Sequence, residues 1–433
     1  MIEGFAGTIL VPGSDEYLMA ATAYGKVGRP VLAVRPTDAA DVATAIAYAK
    51  AEGLVLSVRS GGHSPLNTND GGMVLDLSRI RDVEVLGDNR VRLGSGATWG
   101  NVAQALQAYD LAVSSGDTYT VGVGGLTLGG GIGWLVRQHG LALDSLLEAE
   151  VVLPNGHIVT ANTSQEPELF WALRGGGGNF GVVTRFTFQA YPLRGVVAGT
   201  ITQQPAHLAD TLRRWRDVLR GSSELLNSTV YATPEFGPEL PAETKVLVCY
   251  GAADLDVAMA EIRPLLALPG VTGHDVELKL FVEVFDEPSA PPGSIRIVDR
   301  NGFAHDFDDE LIDRIAAVNA ALNSAVLMVR YVRGALNRVP VDATAFAHRD
   351  GEVFVSSAAF LPLEAPAEDE QRILDGWSVV AERLTGTYGN FNLHLYPDVL
   401  SLMYPPATTQ RLRAAKRHYD PENVLAHNLN IVP

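Results

Sequence analysis

The chain carries one cysteine in 433 residues, so no internal disulfide can form and a stapled mini-protein is excluded. Cys249 lies in the apolar run Lys245-Val246-Leu247-Val248-Cys249-Tyr250, which marks it as a buried thiol. Positive charge is scarce: Lys and Arg total 33 against 50 Asp and Glu, a net charge of −17. Such a balance repels nucleic acid and anionic lipid, so neither is expected as a partner. No apolar stretch is long enough to span a membrane, and Met1-Ile2-Glu3-Gly4-Phe5 lacks the basic start and apolar run of a signal peptide. A cytoplasmic location is therefore expected, and the Asn162-Thr163-Ser164 and Asn227-Ser228-Thr229 sequons read as chance matches. Repeats and low-complexity tracts are also missing.

Several catalytic signatures are absent as well. Without Cys-x-x-Cys, His-Glu-x-x-His, Gly-x-Ser-x-Gly or a Walker pattern, zinc hydrolysis, elbow-type serine chemistry and P-loop phosphoryl transfer have no support. The ten histidines are dispersed; His394, His418 and His427 lack ligand spacing, and no metal site is expected.

What is present is a chain of 47% hydrophobic residues, enough for two or three domains with cores. Val31 to Val34 reads as a strand, Thr37 as the cap of a helix with Val42, Ile46 and Ala49 on one face, and Leu54 to Val58 as the next strand. Strands are predicted at Met73–Leu77 and Val91–Leu93, and Thr98 opens a helix with Val102 and Leu106 inward. The density of glycine from Gly116 to Gly133 predicts mostly loop and tight turn. Asn155-Gly156 predicts a hairpin between Glu148–Leu153 and His157–Thr160. A helix at Pro167–Leu173 leads through glycines to a strand at Val182–Phe188. From Leu193 to about Thr387 the pattern is a separate α+β unit, with helices such as Leu208–Leu219 and Leu311–Leu322 and strands such as Val276–Phe285 and Val353–Phe360.

Chemistry concentrates in Val58-Arg59-Ser60-Gly61-Gly62-His63-Ser64-Pro65-Leu66-Asn67. A strand ending in two glycines leaves bare N–H groups that can approach an anion, with His63 at the rim as base, ligand or nucleophile. Gly122-Val123-Gly124-Gly125 and Gly129-Gly130-Gly131 suggest backbone laid against a large, flat or phosphate-bearing ligand. Gly176 to Gly181 matches the dinucleotide pattern G-x-G-x-x-G, yet it follows a helix and precedes a strand, so a Rossmann site is rejected.

These segments, with Leu169-Phe170-Trp171-Ala172-Leu173-Arg174, Gly178-Asn179-Phe180-Gly181-Val182-Val183-Thr184 and Tyr419-Asp420-Pro421-Glu422-Asn423, resemble the FAD-linked oxidases of the vanillyl-alcohol oxidase and p-cresol methylhydroxylase superfamily, berberine-bridge-enzyme-like branch. The resemblance covers nearly the whole chain. It implies an α+β fold: an FAD-binding domain of two subdomains over residues 1–192, a substrate domain of antiparallel sheet covered by helices over 193–387, and a return to the FAD-binding domain over 388–433. It implies FAD joined covalently to His63, and contacts from Arg59, Ser60, Gly61, Gly62, Ser64, Thr118, Val121, Gly122, Gly124, Gly125, Gly129, Gly130, Gly178, Gly181 and Val183, with Asn390 and Asn428 on the ring or ribityl chain. Relatives with a second, cysteinyl link carry it at the position of Thr118, so a single histidyl link is implied here. Val121 matches a position where a small residue accompanies reaction with oxygen, which favours oxidase over dehydrogenase. Leu126 and Pro65 depart from the histidine and tyrosine of plant members.

The resemblance also makes Tyr388, in Tyr388-Gly389-Asn390-Phe391-Asn392, the candidate catalytic base. A phenol with a reference pKa of ~10 needs cationic or hydrogen-bonding help to deprotonate an alcohol, whereas a neutral amine needs no strong base. The expected activity is removal of hydride from a carbon bearing hydroxyl or amine, with O2 reduced to hydrogen peroxide and a small alcohol, sugar or amine as substrate. The alternatives are a biosynthetic tailoring flavoenzyme, performing oxidative cyclisation or dehydrogenation, and a non-catalytic flavin-binding protein. Tyr250, Lys279, Phe281, Glu283, Tyr331 and Phe354 are the expected pocket walls; substrate identity and oligomeric state stay open.

Overall fold

The computed structural model describes residues 2–235, 241–287, 295–322, 324–393 and 396–433, so His394 lies outside the described residues. Three sheets organise the chain. The first has the order Thr8–Leu10, Leu32–Arg35, Met73–Asp76, Leu56–Arg59, with the last three strands mutually parallel. The helix Ala39–Ala51 joins the second strand to the fourth and buries Val42, Ala45, Ile46 and Ala49 against the sheet. Its cap is Asp38, whose side chain accepts from Asp41 N; Thr37, the expected cap, instead donates through its N and Oγ1 to Asp41 at 2.9 and 2.7 Å. Asp and Thr are both good caps, and the adjacent acidic side chain took the position one residue later.

The second sheet is antiparallel, in the order Ile158–Asn162, Leu146–Val152, Val182–Gln189, Arg90–Gly94, Val83–Val85. Its first pair is the Asn155-Gly156 hairpin, with Gly156 at φ 87°, the left-handed backbone such a turn requires. The third is an antiparallel sheet built from Val196–Gln203, Glu243–Tyr250, Leu226–Thr233, Ala325–Tyr331, Val353–Pro362 and Ile295–Ala304, with Val271–His274 and Glu277–Lys279 on the outer edge of Val196–Gln203. Helices Leu208–Gly221, Leu255–Leu266, Asp309–Leu322 and Ala367–Ala381 share a core with one face of it, where Trp215, Phe307 and Tyr331 meet edge to face. The mixed helix-and-sheet class matches the expectation. Cys249 is fully buried and its thiol is pushed up to about 12 by desolvation, an inert group.

Two local expectations fail. The glycine-rich segment is not all loop, because Val123–Gly129 forms a helix that buries Val123, Thr127 and Leu128; tertiary burial outweighs the low helix propensity of glycine there. Val276–Phe285 is not one strand: only Glu277–Lys279 is extended, and Phe281–Val284 forms a single 3-10 turn closed by Glu283 accepting from Leu280 N at 2.6 Å, with Phe281 edge-on to Phe285.

The chain end returns to the glycine loop Gly175–Gly181. Fully buried Lys416, on the helix Pro406–Tyr419, donates from Nζ to Asp420 at 2.6 Å, to Asn179 O at 2.9 Å and to Leu425 O at 3.2 Å. Asp420 in turn accepts from the N–H groups of Val424 and Leu425, so the Tyr419-Asp420-Pro421-Glu422-Asn423 motif is a structural clamp. Removing one member of a buried pair strands the other charge. Lys416→Met should lower the unfolding free energy by about 3 kcal/mol in chemical denaturation, whereas Lys50→Met, which breaks the solvent-facing pair with Glu422, should change it by less than ~1 kcal/mol.

Candidate active site

A cavity of about 670 Å³ lies where the glycine turns of the first two sheets, the open face of the third and the chain's last segment meet. The strand Leu56–Arg59 ends at its wall. There the loop is pinned by Ser60 Oγ, which donates to Ser95 O at 2.6 Å and accepts from Gly124 N at 3.3 Å, and by Gly62 O, which accepts from Tyr24 N at 2.8 Å. Gly62 sits at φ 79°, and a Cβ there would run into the Arg59 guanidinium. Arg59 itself turns behind the loop toward Asp76, 3.6 Å away, so it does not line the cavity as expected. The N–H groups of Gly61, Gly62 and His63 donate to no protein acceptor among the described residues.

His63 faces the cavity, stacked on Tyr24 at 6.0 Å between ring centres, with Nε2 2.9 Å from Thr120 Oγ1. Burial, and then the Arg59 charge, lower its pKa, so the neutral imidazole dominates near neutral pH. Thr120 belongs to the turn that leads into the helix Val123–Gly129. The two turns touch through bare backbone: a Cβ on Gly61 would overlap Gly122 N, and one on Gly122 would overlap Ser60 Oγ.

Other glycines face empty space. Gly125 and Gly178 border the cavity, and a Cβ at either would meet no atom within 4 Å. Ser64, Thr118, Val121, Gly124, Gly129, Gly181, Val183, Asn390 and Asn428 also border it. Gly130 does not: its Cα abuts the Tyr388 ring, where a Cβ would come within 2.8 Å of Cε2. Asn428 donates to Gly178 O at 3.3 Å and Leu425 O at 3.0 Å, and its buried Oδ1 has no partner among the described residues. Bare N–H groups, open glycines and an unsatisfied acceptor fit a flat ligand bearing phosphates and donor groups.

Tyr388 is 1% exposed, packed among Phe346, Phe354 and Phe391. Its hydroxyl accepts from Gly131 N at 2.7 Å and from Asn390 Nδ2 at 2.8 Å. Burial nevertheless dominates and pushes the phenol up to about 12, against those N–H bonds. Asn301 on the third sheet accepts from Tyr388 N at 2.7 Å and fixes the segment.

The substrate-facing wall differs from the expected one. Tyr250 and Tyr331 point into the helix-covered core, Phe281 into the core of the second sheet, and Phe354 packs behind Tyr388; none of these, nor Lys279 or Glu283, borders the cavity. Side chains alternate across a strand, so the wall comes from Tyr231, Val326, Met328, Ser356, Ala358 and Phe360 instead. Sequence reading also missed Tyr24, Asn392, Asp117 and Asp286. Asp117 pairs with the buried Arg330, which also donates to Thr229 Oγ1 at 2.8 Å and Ile132 O at 3.3 Å. Asp286 is held beside it by backbone bonds from its N to Asp117 O and from Tyr119 N to its O, both 2.8 Å. Partial desolvation, and then the Asp117 charge, push the Asp286 carboxyl up to about 6, while Arg330 and Lys245 oppose the shift. No sequence motif announced this pair, because residues far apart in the chain form it.

Residues 30–162 match the FAD binding domain family model. The chain is 33% identical to the (R)-6-hydroxynicotine oxidase of Paenarthrobacter nicotinovorans, over 94% of this chain and 92% of that protein. In structure it is similar to the xylooligosaccharide oxidase of Myceliophthora thermophila C1 (TM-score 0.86, 25% identity, 99% of this chain and 97% of the other). It shares its fold with the wild-type berberine-bridge-enzyme-like protein 1 of Physcomitrella patens (TM-score 0.85, 23% identity, 97% and 95%). The chain belongs to the FAD-linked oxidases of the vanillyl-alcohol oxidase superfamily.

Proposed function

We propose that this protein is an FAD-dependent oxidase that takes hydride from a carbon bearing hydroxyl or amine, with the flavin tethered once through His63 and the electrons delivered to O2 as hydrogen peroxide. The observation that carries the reading is the Tyr388 hydroxyl, held between Gly131 N and Asn390 Nδ2 at the rim of a cavity walled by bare glycine backbone. FAD bound there would supply the two-electron acceptor and its reoxidation by O2. The division into a flavin-binding unit over residues 1–192 and 388–433 and a substrate unit over 193–387 belongs to the same reading.

His63 is suited to the tether because its imidazole is kept neutral and nucleophilic. With Nε2 engaged by Thr120, Nδ1 is the nitrogen left to bond a carbon. A second tether is unavailable, since Thr118 occupies the cavity wall and the sole thiol, Cys249, is fully buried and does not border the cavity. The N–H groups of Gly61, Gly62 and His63 would hold phosphate, and Val121 leaves a small side chain beside the ring. Toward an alcohol, Tyr388 takes the hydroxyl proton, and the two N–H donors stabilise the phenolate that burial disfavours. Toward a neutral amine it has only to orient the substrate. The nicotine-type and sugar oxidases among its relatives span both substrate classes.

Acid precipitation followed by intact-mass measurement tests the tether: the yellow colour should stay with the pellet and the mass should exceed the apoprotein by one FAD. His63→Ala should release the colour to the supernatant; a colourless pellet from fully loaded wild-type protein would contradict the proposal. Tyr388→Phe should fold and keep its flavin while lowering kcat on alcohols by roughly 10²–10⁴, with little loss on amines. Because the phenol titrates high, wild-type kcat/KM for an alcohol should climb with pH through the neutral range, and the Phe variant should lose that slope.

A further inference from the structure

We infer that the substrate is an organic cation with an apolar body, its positive nitrogen seated against Asp286 and distinct from the hydroxyl or neutral amine whose carbon is oxidised; this rests on the oxidase reading and names the substrate class of the same cavity. Asp117 and Asp286 face the cavity together from neighbouring backbone. The charges around them do not cancel. Arg330 spends its guanidinium on Asp117, Thr229 and Ile132, and Lys245 pairs with Glu243 at 2.6 Å, so Asp286 has no hydrogen-bonding or ion-pair partner among the described residues. A carboxylate beside a like charge and opening to a walled cavity is stabilised most by an incoming cation.

The remaining walls set the shape of the guest. Next to the acid pair lies Tyr231, and the sheet continues through Val326, Met328, Ala358 and Phe360, with the Tyr231 phenol and Ser356 as the hydroxyls on that wall. Such a floor holds an apolar body and offers few partners to a polyol, which needs hydrogen bonds along most of its surface. A second observation points to a ligand in the same space. Asn392 is 5% exposed and borders the cavity; its Oδ1 accepts from Asn301 and Thr387, while its Nδ2 donates to no acceptor among the described residues. Buried donors are seldom left unmade, so this amide waits for an acceptor on the guest or the cofactor. The chain's net charge of −17 adds long-range attraction for cations approaching from solvent.

Calorimetric titration of the holoenzyme tests this, using benzyltrimethylammonium, which has no N–H or O–H to lose, against neutral N,N-dimethylbenzamide and xylobiose. The cation should bind at least tenfold tighter than either. Asp286→Asn should abolish that preference and leave the amide's affinity unchanged, while Asp286→Glu, which keeps the charge, should retain it. Equal or tighter binding of the amide or xylobiose, or an undiminished preference in Asp286→Asn, overturns the inference. The flavin absorbance of the same samples separates the two readings: yellow protein without a cation preference sinks the substrate class alone, and colourless protein that prefers the cation sinks the oxidase reading alone.

Discussion

Two stretches of backbone touching without side chains between them set the geometry of the site. Gly61, at the end of the parallel strand Leu56–Arg59, lies against Gly122, at the start of the helix Val123–Gly129, and a Cβ on either would push the turns apart. Their contact brings His63 to Thr120, aligns Ser60 with Gly124 N and leaves three N–H groups at the cavity wall without an acceptor among the described residues. The backbone contact, the Tyr24 ring and Thr120 together hold the His63 imidazole at one place on the cavity wall.

The opposite wall is set by a different constraint, the closure of the chain end over the glycine loop. Buried Lys416 and Asp420 cross-link the final helix to Asn179 and Leu425, and Asn179 also donates to Leu429 O at 3.2 Å and accepts from Ile431 N at 2.9 Å. Asn428 is thereby set against Gly178. The charged pair sits at full burial because each member has several partners, the condition under which buried ions are tolerated. Tyr388 depends on both halves: its hydroxyl takes Gly131 N from one unit, and its backbone N–H is held by Asn301 of the third sheet. The site is therefore complete only when the glycine turns and the third sheet are both in place.

Much of this was legible in the chain. The Ser60–Ser64 loop, the Asn155-Gly156 hairpin, the helices at Pro167 and Leu208, and the reversed context of the Gly176–Gly181 run follow from local rules of turn chemistry and periodicity, and the structure has them. The helix at Val123 did not follow, because its stability comes from burial of Val123 and Leu128 against distant residues. The substrate wall was misplaced for a related reason. Aromatic and charged residues such as Tyr331 and Lys279 are conspicuous in a sequence, but which face of a strand meets a cavity is decided by register, and a shift of one residue exchanges core for pocket. The Asp117–Asp286–Arg330 group is assembled from three separate segments, with Asp117 more than a hundred residues from the other two, so no spacing could reveal it.

The most direct test of a flavin held by open glycine backbone is the Gly125→Val variant. Gly125 borders the cavity, and a Cβ there meets no protein atom within 4 Å, so the backbone leaves room for a side chain at that wall. The measurement is flavin content, taken as the ratio of visible to protein absorbance, on variant protein whose melting in the absence of flavin matches the wild-type apoprotein. The account predicts a folded, largely colourless protein. A variant that binds flavin as fully as the wild type would contradict it.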